Sequence, residues 1–172
     1  MKKILVLLLA CFMLTGCSLR TNKIMVYRLS GYGTYKVPKT AVIRKDHSTY
    51  RKLFFVKNKD INNNRPNNIS VEGGTNKYSK EDHMQFRRAI QTQLYMQSSS
   101  HLGSQITGSG TTTKNGYTLY VFTMKSSDSV TKQYYIVGDY KYVLVHETIL
   151  NGTEDQELDS ISKYIVDSFK WE

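Results

Sequence analysis

The chain has 172 residues, with 24 Lys and Arg against 14 Asp and Glu and a formal net charge of +10. That length suits one domain with one sizeable core, and a second domain is not expected. The two cysteines, Cys11 and Cys17, both lie near the start, so the rest of the chain has no thiol for a disulfide or a thiolate metal centre.

Lys2 and Lys3 give a positive start, Ile4 to Met13 is an almost unbroken apolar run, and Leu14-Thr15-Gly16-Cys17 closes it with small residues before a cysteine. The run is too short for a permanent membrane span, and its flanks are those of a cleaved export signal. The four closing residues resemble the lipobox of bacterial lipoproteins. That resemblance implies cleavage between Gly16 and Cys17 and a diacylglyceryl group on the Cys17 sulfur; an ordinary secretory signal or a chance apolar terminus are the alternatives. The expected organisation is residues 1–16 as signal peptide, 17–23 as lipidated cysteine and short tether, and 24–172 as a single α+β domain. The protein is then extracytoplasmic, anchored to the cell membrane through Cys17, and its tether holds the domain only about 20 Å away at roughly 3.3 Å per extended residue.

Loss of Lys2 and Lys3 leaves 22 basic against 14 acidic residues, a formal charge of about +8. Such a surface favours acidic surroundings. Outside the cell these are anionic lipid headgroups or anionic wall polymers, while nucleic acid is normally out of reach. A solvated face with no specific partner is the alternative.

Ile24 to Leu29 and Tyr35 to Val37 read as short strands about a Gly31/Gly33 turn, with Pro38 as a stop. Ala41 to Ile43 and Leu53 to Val56 read as two more, joined by a polar loop. Asn58 to Asn68 holds six asparagines and Pro66 with hardly an apolar side chain, which predicts a mobile loop. Asn68 to Glu72 alternates as a half-buried strand should, and Gly73-Gly74 is expected to end it. A helix is predicted from Ser79, capped by Asp82, with Phe86, Ala89, Ile90, Gln93 and Leu94 on one face. Gln105 to Ile149 reads as a four-stranded meander in which Gly108 and Gly110 mark an edge. Asn115-Gly116 predicts a type I′ hairpin turn, and Gly138-Asp139 a further turn. A last helix is expected with Thr153 as N-cap and Leu158, Ile161, Ile165 and Phe169 as its apolar stripe.

Two strands of the meander are apolar on both faces. Tyr117, Leu119 and Val121 alternate with Tyr120, Phe122 and Met124, while Tyr142 and Leu144 alternate with Val143 and Val145. A sheet with one wet face would not read this way, so both sides need cover. Two amphipathic helices can provide it, giving a three-layer α+β fold: a central antiparallel sheet with a helix on each face.

This order of elements, ending in Ser168-Phe169-Lys170-Trp171 on a last helix, resembles the PsbP-like fold over roughly Ile24 to Glu172. It is also similar to a group of small bacterial lipoproteins in which a strand like Asn68 to Glu72, a helix like Ser79 to Gln97 and a Gly-Ser-Gly-Thr strand recur. The chain departs from the family after Pro38, where Ala41-Val42 follows and no tryptophan does. The resemblance implies a non-catalytic interaction or assembly role in the cell envelope, with an envelope protein as partner. The alternative is a ligand carrier or hydrolase whose site assembles from residues distant in sequence.

No cofactor, metal site or catalytic residue is expected. His47, His83, His101 and His146 are scattered without metal-ligand spacing, and His146 and Glu147, adjacent on a strand, point to opposite faces. Gly108-Ser109-Gly110-Thr111 lacks the Lys and the following helix of a phosphate cradle. Tyrosine is the unusual residue: Tyr117, Tyr120, Tyr134, Tyr135, Tyr140 and Tyr142 crowd the meander. They suit either a recognition surface or half-buried sheet positions.

Overall fold

The computed structural model of the protein describes residues 24–98, 104–150 and 154–172. Gly16, Cys17, His101 and the expected cap Thr153 lie outside the described residues. In chain order the strands are β1 (Ile24–Leu29), β2 (Gly33–Pro38), β3 (Ala41–Ile43), β4 (Lys52–Lys57) and β5 (Asn68–Thr75). Helix α1 (His83–Ser98) follows, then β6 (Gln105–Thr112), β7 (Thr118–Lys125), β8 (Ser129–Val137) and β9 (Lys141–Leu150). Helix α2 (Gln156–Ser168) and the two-residue β10 (Lys170–Trp171) complete the order.

The main sheet has seven antiparallel strands in the order β3-β4-β5-β9-β8-β7-β6. After β5 the chain leaves the sheet, crosses one face as α1, re-enters at the far edge as β6, and meanders back until β9 pairs with β5. The two apolar faces read from the sequence are both covered. Tyr120, Phe122, Tyr135, Val137 and Leu144 pack under Phe86, Ile90 and Leu94 of α1. Leu119, Tyr134, Ile136, Val143 and Val145 pack under Leu158, Ile161, Ile165 and Val166 of α2.

A second sheet, β1-β2-β10, closes over the α2 side and sends Leu29, Tyr35 and Val37 into the same core. Gly33 lies where β2 meets β10, and a Cβ there would be driven into the Lys170 carbonyl oxygen. Gly33→Ala is therefore expected to displace β10 and cost about 1–3 kcal/mol, the usual range for overpacking. Thermal unfolding tests this, and an unchanged midpoint would show that β10 adds no stability.

Several local expectations need correction. The α1 helix starts at His83, not Ser79; residues 79–82 form a turn in which the Asp82 N–H donates to Ser79 Oγ at 3.3 Å and the Ser79 hydroxyl donates to Asp82 Oδ2 at 3.0 Å. Its buried stripe is Phe86, Ile90 and Leu94, with Ala89 and Gln93 exposed. The α2 N-cap is Asp155, whose side chain accepts from the Leu158 N–H at 3.1 Å.

β5 runs through Gly73 and Gly74 instead of stopping there, because the rings of Tyr32 and Tyr142 lie over the two glycines and replace the missing side chains. Gly108 and Gly110 sit on the edge strand β6, under their cross-strand partners Phe122 and Tyr120.

The β6–β7 turn is not type I′. Among the described non-glycine residues only Tyr140 has positive φ, so Asn115 does not adopt the conformation that turn requires. Thr113 accepts from the Gly116 N–H at 2.9 Å and Gly116 takes φ +81°, giving a type I turn with a glycine bulge.

The asparagine-rich segment expected to be mobile is tied down. Arg44 Nη1 donates to the carbonyls of Ile61 and Asn63 at 3.1 and 3.0 Å, while its other nitrogens hold Asp46. At the far end, Asn67 Oδ1 accepts from the Leu150 N–H at 2.8 Å.

Candidate functional site

The six tyrosines do not form one surface, because strand alternation divides them. Tyr120, Tyr135 and Tyr142 face α1, whereas Tyr117 and Tyr134 face the α2 side. The Tyr120 hydroxyl lies 2.6 Å from His83 Nδ1, the Tyr135 hydroxyl donates to Gln133 Oε1 at 2.7 Å, and Tyr134 donates to Asp159 at 3.1 Å. Burial pushes the Tyr134 and Tyr135 phenols well above their ordinary range, so both stay protonated at neutral pH. Tyr117 packs edge-on against Phe169 and Trp171.

Tyr140 alone is an exposed anchor, at 56%. It is not in β9 as expected but in the turn before it, at φ +55°, held by backbone bonds to Asn76 and Tyr78. The half-buried reading describes Tyr117 and Tyr142, whereas Tyr120, Tyr134 and Tyr135 are buried outright.

The chemistry-bearing residues converge elsewhere, between the start of α2 and the sheet. Asp155 caps the helix and also accepts from Lys57, itself only 7% exposed, and from Asn67 Nδ2 at 3.0 Å. Burial alone would raise the Asp155 carboxyl, but these donors outweigh it and hold the carboxyl below its ordinary value. One turn on, Asp159 accepts from Lys132 at 2.5 Å and Lys163 at 2.8 Å, and it too is held low against burial. A cavity of about 410 Å³ opens beside them, lined among others by Lys125, Lys132, Asp155 and Asp159 over a floor of Val130 and Ile149.

Glu147 lies in this layer, opposite Lys132 in the β8–β9 register, and is 0% exposed. Neither of its oxygens, nor the adjacent buried Ser162 hydroxyl, makes a well-formed hydrogen bond among the described residues, although the Ser162 and Tyr134 hydroxyls lie near enough to act on its charge. Burial pushes its carboxyl up to about 7, with the Lys132 charge pulling the other way. Glu147 and His146 do point to opposite faces: His146 pairs with Ser70 and Gln133, and burial lowers its imidazole. Among the described residues no three His, Cys, Asp or Glu gather as metal ligands.

This network escaped the sequence reading, since Lys57 and Asp155 are 98 positions apart. Its one legible sign was the acidic cluster at the start of α2. Chemically, the arrangement neutralises charge and fixes α2 on the sheet. Both aspartates are committed to lysines, and among the described residues lining the cavity no nucleophile and base stand within hydrogen-bond reach of each other.

A seven-stranded antiparallel sheet with one helix on each face and an α+β order of elements is a PsbP-like fold. No family model matches the chain, and no curated protein matches it. Among solved structures, the solution structure of cyanobacterial PsbP (CyanoP) from Synechocystis sp. PCC 6803 is similar over 90% of this chain and 96% of that one, with a TM-score of 0.53 and 12% identity. A likeness at that identity establishes the fold and leaves function to be argued from the residues.

Proposed function

We propose that this protein is a bacterial lipoprotein held on the outer face of the cell membrane through Cys17, and that its PsbP-like domain is a non-catalytic interaction or assembly module of the envelope. The observation that carries the anchoring is the run from Lys2 to Cys17: positive start, apolar stretch and complete Leu14-Thr15-Gly16-Cys17 ending. The non-catalytic reading is supported by the commitment of the convergent charges to structural pairs. Two acyl chains hold a protein on a bilayer far more firmly than one, at about 0.8 kcal/mol per buried methylene.

Mass spectrometry of the protein taken from membranes should find Cys17 at the N-terminus carrying lipid, and Cys17→Ala should abolish this lipid anchoring. A mature wild-type chain with an unmodified Cys17 sinks the proposal.

The cavity beside Lys132 and Asp159 favours one second reading, a carrier of a small ligand. A carrier taken from cells would show a bound small molecule in native mass spectra, lost in Lys132→Met. The assembly reading expects no such mass, and a crosslinked protein partner instead.

A further inference from the structure

The outer face of the small sheet carries exposed aliphatic side chains beside lysines. Alternation turns Tyr27, Leu29, Tyr35 and Val37 toward the core and leaves Ile24, Val26 and Arg28 of β1, Lys36 and Pro38 of β2, and Lys170 of β10 outward, in one register; Met25 alternates with them but is itself 42% exposed. Ile24 is 47% and Val26 65% exposed, although an unpaired edge strand is where apolar side chains are normally avoided. The three strands contain no acidic residue. Lys36, Lys39 and Lys170 are exposed and in no ion pair among the described residues; Arg28 is shared with Glu172 at 2.7 Å. A mostly apolar groove of about 330 Å³, lined by Ile24, Pro38, Ile161 and Tyr164, continues the face toward α2, where its lining also includes Glu157, which has Lys59 at 3.9 Å.

We infer that this face is the surface by which the domain seats on an anionic lipid bilayer, with Ile24 and Val26 entering the headgroup region and Lys36, Lys39 and Lys170 meeting lipid phosphates. Two features select a bilayer over a protein partner. The face combines exposed aliphatic side chains with unpaired lysines, the pairing that interfacial binding uses. In the sequence only six residues separate Cys17 from Ile24, so an anchor at Cys17 is covalently close to β1. The inference rests on the anchoring proposed above but concerns a different surface, and the two can fail separately.

The test uses the full chain, processed in cells and reconstituted into vesicles of phosphatidylcholine alone or mixed with phosphatidylglycerol. A fluorophore is placed at Val26→Cys or, as control, at Thr92→Cys on exposed α1, and quenching by brominated acyl chains is read. With phosphatidylglycerol, position 26 should be quenched several-fold more than position 92. The difference should shrink with added salt, with Lys36→Glu plus Lys39→Glu, and with phosphatidylcholine alone. Equal quenching at both positions, or quenching indifferent to headgroup charge, overturns the seating. A change at position 26 that needs no vesicles and grows with protein concentration overturns it in favour of β1 pairing between copies. The chain without added cysteine reports on the anchor separately: if Cys17 takes label, the lipidation reading fails. Seating is then decided by the same comparison with Cys17→Ser chains added to the vesicles at low salt.

Discussion

A chain that stops at Glu154 is expected not to unfold cooperatively. The missing segment carries Leu158, Ile161, Ile165, Val166 and Phe169, all essentially buried against the sheet. At about 1.5–3 kcal/mol for each buried side chain of this kind, their loss is on the order of 10 kcal/mol, comparable to the whole stability of an ordinary domain. The same cut leaves Lys57 and Lys132 without Asp155 and Asp159, and it removes Phe169 and Asp167, whose carbonyls accept from Asn115 Nδ2 at 2.7 and 3.3 Å. Urea unfolding followed by tyrosine fluorescence would decide it. A truncated chain with the midpoint of the intact one would mean that α2 merely rests on the sheet.

Glu147→Gln should stabilise the protein at pH 8, by about 3 kcal/mol, and have little effect near pH 4. The Glu147 carboxyl stands at about 7 in the fold against its ordinary 4.5. A raised folded-state value means that Glu147's contribution is fully present below about pH 4.5 and is lost as pH rises through about 7. The magnitude follows because each tenfold weakening of the carboxyl as an acid corresponds to about 1.4 kcal/mol.

Other groups titrate nearby and must be separated. His146 is lowered by burial and by the Lys52 charge, so its contribution is lost as pH falls below its ordinary 6.5, opposing Glu147 in part of the window. Asp155 and Asp159 are lowered, and their contributions fade only under more acid conditions, below their ordinary 3.8. The measurement is therefore the difference in stability between Glu147→Gln and the unsubstituted chain across pH 4 to 8. A difference that stays flat would show that Glu147 is not protonated by its burial.

What was legible in the sequence is what side-chain period controls. Period-two alternation on β7 and β9 placed each apolar residue on its correct face, and Leu158, Ile161 and Ile165 of α2 followed from helical spacing; Phe169, Lys170 and Trp171, expected on the same helix, lie beyond its end in extended backbone. Features set by distant pairing were not legible. β10 has two residues and therefore no pattern, and its partner β2 is far away in the chain. The fixing of the asparagine-rich segment depends on Arg44, which composition cannot reveal. Tyr140 misled because tyrosine favours strands, and only the bonds from residues 76–78 explain its left-handed turn. The crowd of tyrosines left a recognition surface and half-buried sheet positions both open, and strand alternation decides against one shared surface, since neighbours such as Tyr134 and Tyr135 necessarily point apart.

The small sheet has a consequence for the order in which the molecule assembles. β6 to β9 pair with strands next to them in the chain, so the meander closes through short loops. β2 instead joins β1 on one side and β10 on the other, and the Arg28–Glu172 pair beside it bridges 144 positions. Closing so long a loop is entropically unfavourable until α2 has already docked, which makes β10 a late arrival. In pulse-labelled hydrogen exchange during refolding, the amides of β7 to β9 should become protected first and those of Lys170 and Glu172 last. Until then β2 offers an unpaired edge at Gly33 and Thr34, so the stage at which the chain is most prone to pair with another copy falls just before it is finished.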